Sequence, residues 1–118
     1  MGVTIERNCF SDMDGVYDQL KARKLWPVMA VHQSMHREAP HWHAQNNQIF
    51  VVEGTATFYD EENGQSFDLH RGDICVIPSR TLHAARADGP VVLIAAFDQP
   101  MSMNEFKPYP PEARDQTG

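Results

Sequence analysis

The chain is short of cysteine, of basic charge and of long apolar runs, and each shortage closes a class of explanation. Two cysteines, Cys9 and Cys75, in 118 residues are too few for a disulfide framework, and neither belongs to a Cys-x-x-Cys pair. Cys75 lies inside the run Ile74-Cys75-Val76-Ile77 and reads as a buried thiol. Ten Lys and Arg stand against sixteen Asp and Glu, a net charge of −6 with a pI near 5.4. That balance argues against nucleic acid or an anionic membrane as the main partner, since either favours a basic face. The longest apolar run, Val91 to Phe97, is too short to span a bilayer, and Met1-Gly2-Val3-Thr4-Ile5-Glu6-Arg7 has no basic stretch followed by an apolar one. The expectation is a cytoplasmic protein that handles a small neutral or polar molecule.

What is present suits one compact core. With 42% hydrophobic residues, 118 residues fill a single domain, 1–118, and leave no room for a second. Met13, Val16, Tyr17 and Leu20 recur at helical spacing after Ser11, which suits the N-cap, and before Lys21, Arg23 and Lys24, which suit the negative end of a helix. Trp26-Pro27 ends that helix. A short strand near Val3 to Glu6 precedes it, so residues 1–27 form an N-terminal strand and helix.

From Val28 the pattern changes to short runs broken by turn residues, the rhythm of an all-β sandwich or barrel over residues 28–98. The runs are Val28–Met35, Pro40–His43, Gln48–Glu53, Thr55–Tyr59, Ser66–Leu69, Ile74–Ile77, His83–Arg86 and Val91–Phe97. Asn63-Gly64 signals a two-residue hairpin, because both residues tolerate positive φ. Val91–Phe97 is apolar on both faces, as a strand covered on both sides must be. The tail, 99–118, carries Pro108, Pro110 and Pro111 and does not pair as a strand.

The chemistry sits in the histidines. Residues i and i+2 of a strand share a face, so His41-Trp42-His43 aims two imidazoles at one point, where His83 from a neighbouring strand adds a third nitrogen. This is the pattern of a metal site.

The spacing around these residues goes further. From His41 the text runs H-W-H-A-Q-N-N-Q-I-F-V-V-E-G to Gly54. From Gly72 it runs G-D-I-C-V-I-P-S-R-T-L-H, with His83 five residues after Pro78. Together these residues resemble the two motifs of the cupin family, H-x-H-x3–4-E-x6-G and G-x5-P-x-G-x2-H-x3-N, over residues 41 to 87. The resemblance implies an all-β fold, the cupin double-stranded β-helix or jelly-roll β-barrel, with one short N-terminal helix. It implies one divalent transition metal per chain, Fe, Zn, Ni or Mn, held by His41, His43 and His83.

Two departures from the family pattern matter. The acidic ligand is replaced by Asn47 or Gln48, both neutral amides. Strand parity points Asn47 the same way as His41 and His43, whereas a bulge after His43 brings Gln48 round instead, and either amide oxygen can ligate. In the second motif Arg80 stands at the glycine and Ala87 at the final asparagine. Three neutral imidazoles leave the metal charge undiminished and open positions for a substrate.

His32 shares parity with Val28 and Ala30 and is the candidate for a fourth nitrogen, an arrangement found in the aromatic-polyketide cyclases that this short chain also resembles. His70 reads as a solvated turn residue, and Trp42, opposite the ligand face, as packing between layers. Ile49 and Val51 share the ligand parity and line an apolar substrate pocket.

The resemblance therefore implies a mononuclear, three-histidine dioxygenase-type enzyme acting on a small organic molecule. Its alternatives are a non-redox cyclase or isomerase and a ligand-binding or sensing protein without turnover. A homodimer is expected, with Val3–Glu6 and the tail covering a partner's sheet edge.

Overall fold

The structure, a computed structural model, describes residues 2–102 and 105–117, the last three by backbone alone. In chain order the elements are β1 (Thr4–Glu6), α1 (Met13–Arg23), β2 (Trp26–His32), β3 (His36–His41), β4 (Asn47–Glu53) and β5 (Thr55–Asp60). They continue with β6 (Gln65–His70), β7 (Ile74–Ile77), β8 (His83–Ala87), β9 (Val91–Phe97) and α2 (Pro111–Thr117). All strand pairs are antiparallel, in a five-stranded sheet ordered β1-β7-β4-β9-β2 and a four-stranded sheet ordered β3-β8-β5-β6. The two sheets close on each other as a jelly roll, the all-β architecture that the strand rhythm predicts.

Alternation along the strands makes two cores. Ile49 and Val51 of β4, Ile77 of β7 and Leu93 of β9 point inward and meet Ala56, Phe58, Leu69 and Ala85 from the facing sheet. Phe50, Ile74, Ile94 and Ala96 point outward, where Val16 and Leu20 of α1 cover them and Phe10 stacks on Phe50 at 5.8 Å. Val91–Phe97 is buried on both faces for this reason, as its composition requires.

Several local details differ from the sequence reading. The helix is capped by Asp12, whose Oδ1 accepts from the Gly15 amide at 2.8 Å, and it ends at Lys24 with φ +57 before Trp26-Pro27 enters β2. Tyr17 is 59% exposed, so the buried stripe narrows to Val16 and Leu20, with Met13 beside them. The β5–β6 hairpin pairs Asp60 with Gln65, which leaves a four-residue loop rather than a two-residue turn. Asp60 holds that loop by accepting from the amides of Glu62 and Asn63 at 2.9 and 3.2 Å. Met35, assigned to a strand, lies in the link between β2 and β3.

The two motif glycines are conformational necessities. Gly54 has φ +84, and a Cβ there would stand 2.5 Å from the carbonyl oxygen of Pro90. Gly72 has φ +99, with the Phe10 carbonyl 2.7 Å from the same atom. Among the described residues no helix is long and apolar enough to cross a membrane.

Candidate metal centre

Strand register brings the histidines together. β3 runs antiparallel to β8 with His41 opposite His83, and His43 follows two residues after His41. The rings of His41 and His83 lie 4.4 Å apart by centroid, those of His41 and His43 4.8 Å and those of His43 and His83 5.4 Å. One nitrogen from each ring lies within 4.8 Å of the other two.

The main chain fixes which nitrogen each ring offers. Nδ1 of His41 lies 2.6 Å from the Ala39 carbonyl, Nδ1 of His43 2.9 Å from that of Lys107 and Nδ1 of His83 2.8 Å from that of Thr81. A carbonyl oxygen only accepts, so each Nδ1 carries the proton and each Nε2 keeps its lone pair for a metal. The three residues are buried, with His41 the most exposed at 9%. Burial, reinforced by the neighbouring His41 and His83, pushes the His43 imidazolium down to about 4, despite the Lys107 carbonyl and Glu38. Burial likewise lowers His83. Three buried imidazoles, each with Nδ1 tied to a main-chain carbonyl, fit a divalent transition metal by donor chemistry.

This burial has a consequence for metal-free protein. Above pH 6.5 His43 is neutral both folded and unfolded. Below it the unfolded chain takes up a proton that folded His43 refuses until about pH 4. Stability is therefore lost as pH falls through that window, by up to about 3 kcal/mol from His43 alone, and the loss levels off below it. Urea denaturation of chelator-stripped protein at pH 7.5, 5.5 and 4.5 reads this directly; a flat profile contradicts it.

The centre lies between two hollows. Inward is a cavity of about 290 Å³ walled by Ile49, Phe58, Ile77, Leu93 and Phe106, with His43, His83, Asn47, His32, His36 and Glu38 at its polar end. Outward is a wider depression of about 540 Å³ between His41, His43, Glu38, Phe106, Pro108 and Tyr109. Phe106 stacks on the His43 ring at 3.9 Å and separates the two.

The other sequence candidates divide by face. Asn47 is 2% exposed, lines the inner cavity, and its Oδ1 has no hydrogen-bond partner among the described residues, so it offers a free acceptor beside the histidines. Gln48 takes the opposite face, where its Oε1 accepts from Arg23 Nη1 at 2.8 Å, because β4 runs without a bulge at this point. Parity thus separates the two amides. His32 lines the cavity but stacks on His36 at 3.7 Å and stands apart from the three-histidine group. Ile49 forms cavity wall; Val51, two residues deeper, is fully buried in the inner core.

Sequence reasoning missed two contributions. One is Glu38, whose Oε1 lies 3.4 Å from His41 Nε2 and whose Oε2 lies 2.7 Å from His36 Nε2. The other is the tail. It bridges Trp42 through Tyr109 in antiparallel fashion, stacks Tyr109 on Trp42 at 4.6 Å and supplies both Phe106 and the Lys107 carbonyl to His43. Trp42 accordingly packs under the tail rather than between the sheets. At the position of the motif's missing glycine, Arg80 adopts φ +62, the left-handed conformation that glycine favours, and its guanidinium lies 5.0 Å from the Trp42 ring. The turn survives the substitution.

Comparison with known proteins agrees with this geometry. Residues 28–97 match the cupin domain family, Cupin_2, and the chain belongs to that family. Its fold is similar to a cupin-2 domain protein of Shewanella frigidimarina at 20% identity and TM-score 0.53, covering 65% of this chain and 71% of that one. It is also similar to acireductone dioxygenase from Bacillus anthracis, solved with a cadmium ion in its active centre, at 16% identity and TM-score 0.60 over 92% and 83% of the chains. A third is the Lactobacillus farciminis oxalate decarboxylase formate complex, at 18% identity and TM-score 0.56, covering 99% of this chain and 33% of that one. Comparison with curated proteins gives no match.

Proposed function

We propose that the protein is a mononuclear metal-dependent enzyme of the dioxygenase type, acting on a small organic molecule. The observation that carries this reading is the set of three Nδ1–H groups tied to main-chain carbonyls, which leaves three Nε2 atoms convergent at the edge of an apolar cavity. The fold shared with a dioxygenase that holds a metal ion in its active centre supports it.

A divalent iron held there supplies Lewis acidity and redox chemistry with dioxygen. The residues of the chain do the rest. His41, His43 and His83 anchor the ion; Ile49, Ile77, Leu93 and Phe106 exclude water and hold the apolar part of the substrate by shape; Asn47 Oδ1 accepts a hydrogen bond from a substrate hydroxyl or ligates the metal itself.

The reading includes a cytoplasmic homodimer. The segments expected to cover a partner are engaged within the chain, β1 on β7 and the tail on Trp42. One edge of the five-stranded sheet is β2, where Trp26, Met29 and Val31 are 46–56% exposed.

The test is oxygen consumption by tag-free protein reconstituted with iron(II), screened against small enolisable carbonyl and thiol compounds. Uptake that requires both substrate and iron is expected, from a species whose light-scattering mass is twice 13.4 kDa. Turnover with zinc or nickel and no oxygen uptake contradicts the dioxygenase reading and favours a cyclase or isomerase. Tight ligand binding with no turnover under any metal favours a sensor.

A further inference from the structure

β3 should present Glu38 and His41 to opposite faces, since they are an odd number of residues apart. It does not, because the pairing of β3 with β8 shifts between Glu38 and His41. Ala39-Pro40 fills the irregularity, and a proline inside a strand belongs at such a place, having no amide to give the ladder. The extra residue turns Glu38 into the same space as the histidines. Its carboxylate lines both hollows, and Oε1 reaches within 3.4 Å of Nε2 of His41, the nitrogen left free to ligate.

We propose that Glu38 supplies an anionic fourth ligand to the metal, entering from the strand before the His-x-His pair. The inference rests on the metal-centre reading and deepens it. Two ligand atoms at about 2.1 Å from one ion, separated by a tetrahedral angle, stand about 3.4 Å apart. The observed Oε1–Nε2 separation is that distance. Glu38 also lines the same inner cavity as His43 and His83, which places it on their side of the barrel. Oε2 is held at 2.7 Å by His36 Nε2, and His36 is in turn stacked on His32 at 3.7 Å. Metal-ligating carboxylates are characteristically steadied by such an outer hydrogen bond. His32 and His36 thus position the carboxylate, and the vacant acidic place downstream, occupied by Asn47, is offset from upstream. The charge at the centre falls by one relative to three imidazoles alone.

Cobalt(II) is the probe, titrated into chelator-stripped, tag-free protein with a competing chromophoric chelator and followed in the visible spectrum. Glu38→Gln is expected to weaken cobalt binding at least about tenfold and to shift the d–d bands, with Glu38→Asp recovering part of the affinity. His36→Gln, which removes only the outer support, is expected to have a smaller effect of the same sign. Glu38 is 37% exposed, so the metal-free variants should melt as the wild type does. A Glu38→Gln protein that binds cobalt within twofold of wild type, with an unchanged spectrum, overturns the proposal and reduces Glu38 to a bridge between His36 and His41. Wild-type protein that takes up no cobalt overturns the metal centre itself, and its fourth ligand with it.

Discussion

Trp42→Ala is expected to lower the melting temperature by roughly 10–20 °C and also to weaken metal binding at a centre its side chain does not join. The indole is 2% exposed, stacks on Tyr109 at 4.6 Å and donates from Nε1 to the Pro110 carbonyl at 3.0 Å. Its backbone exchanges two hydrogen bonds with Tyr109, at 3.0 and 2.9 Å. Truncating a large buried aromatic costs about 3–5 kcal/mol, since the cavity left behind is only partly refilled. Here the loss propagates. The Lys107 carbonyl that holds His43 Nδ1 lies two residues before Tyr109, so a tail freed from Trp42 releases the orientation of His43. Loss of an outer partner of a metal-ligating histidine lowers affinity about ten- to a hundredfold. Trp42→Phe keeps the stacking and should recover most of both effects. Thermal melts and chelator competition on the same samples measure them; a normal melt with normal affinity would show that the tail contributes nothing to the centre.

The fold was legible because its signals are local and periodic. Turn residues break residues 28–98 into short runs, and the double burial of Val91–Phe97 was visible in its composition before any sheet order was known. The histidine cluster was legible for the same reason: i and i+2 share a face, and the Gly72 to His83 spacing brings β8 opposite His41. The choice between Asn47 and Gln48, open in the sequence, follows from β4, which is regular through that stretch and puts the two amides on opposite faces.

The reading failed where the chain departs from regularity. Glu38 was hidden because residues 36–39 fell between the two expected strands, whereas β3 runs His36–His41 and shifts register between Glu38 and His41. The tail was hidden for a different reason. Pro108, Pro110 and Pro111 exclude a ladder strand, but not a single bridge at Tyr109, which does have an amide to donate, nor a short helix that opens with proline at Pro111. The contact between Lys107 and His43 spans sixty-four residues, and nothing in local sequence encodes it. The helix stripe misled in a smaller way, since Tyr17 fits the period yet faces solvent.

The central claim is that His41, His43 and His83 hold one metal ion per chain. With all three imidazoles pre-oriented by main-chain carbonyls, removing two of them leaves one protein nitrogen, too few to retain a divalent ion against dialysis. Both histidines are replaced by alanine, and His41 and His43 lie at the barrel mouth rather than in the inner core, so the double variant should still fold. The direct measurement is elemental analysis of wild-type and His41→Ala/His43→Ala protein, both purified without an affinity tag and dialysed after incubation with iron(II), zinc or nickel. About one equivalent of metal per 13.4 kDa chain in the wild type and none in the double variant is the predicted result. Equal, stoichiometric metal in both proteins would contradict it.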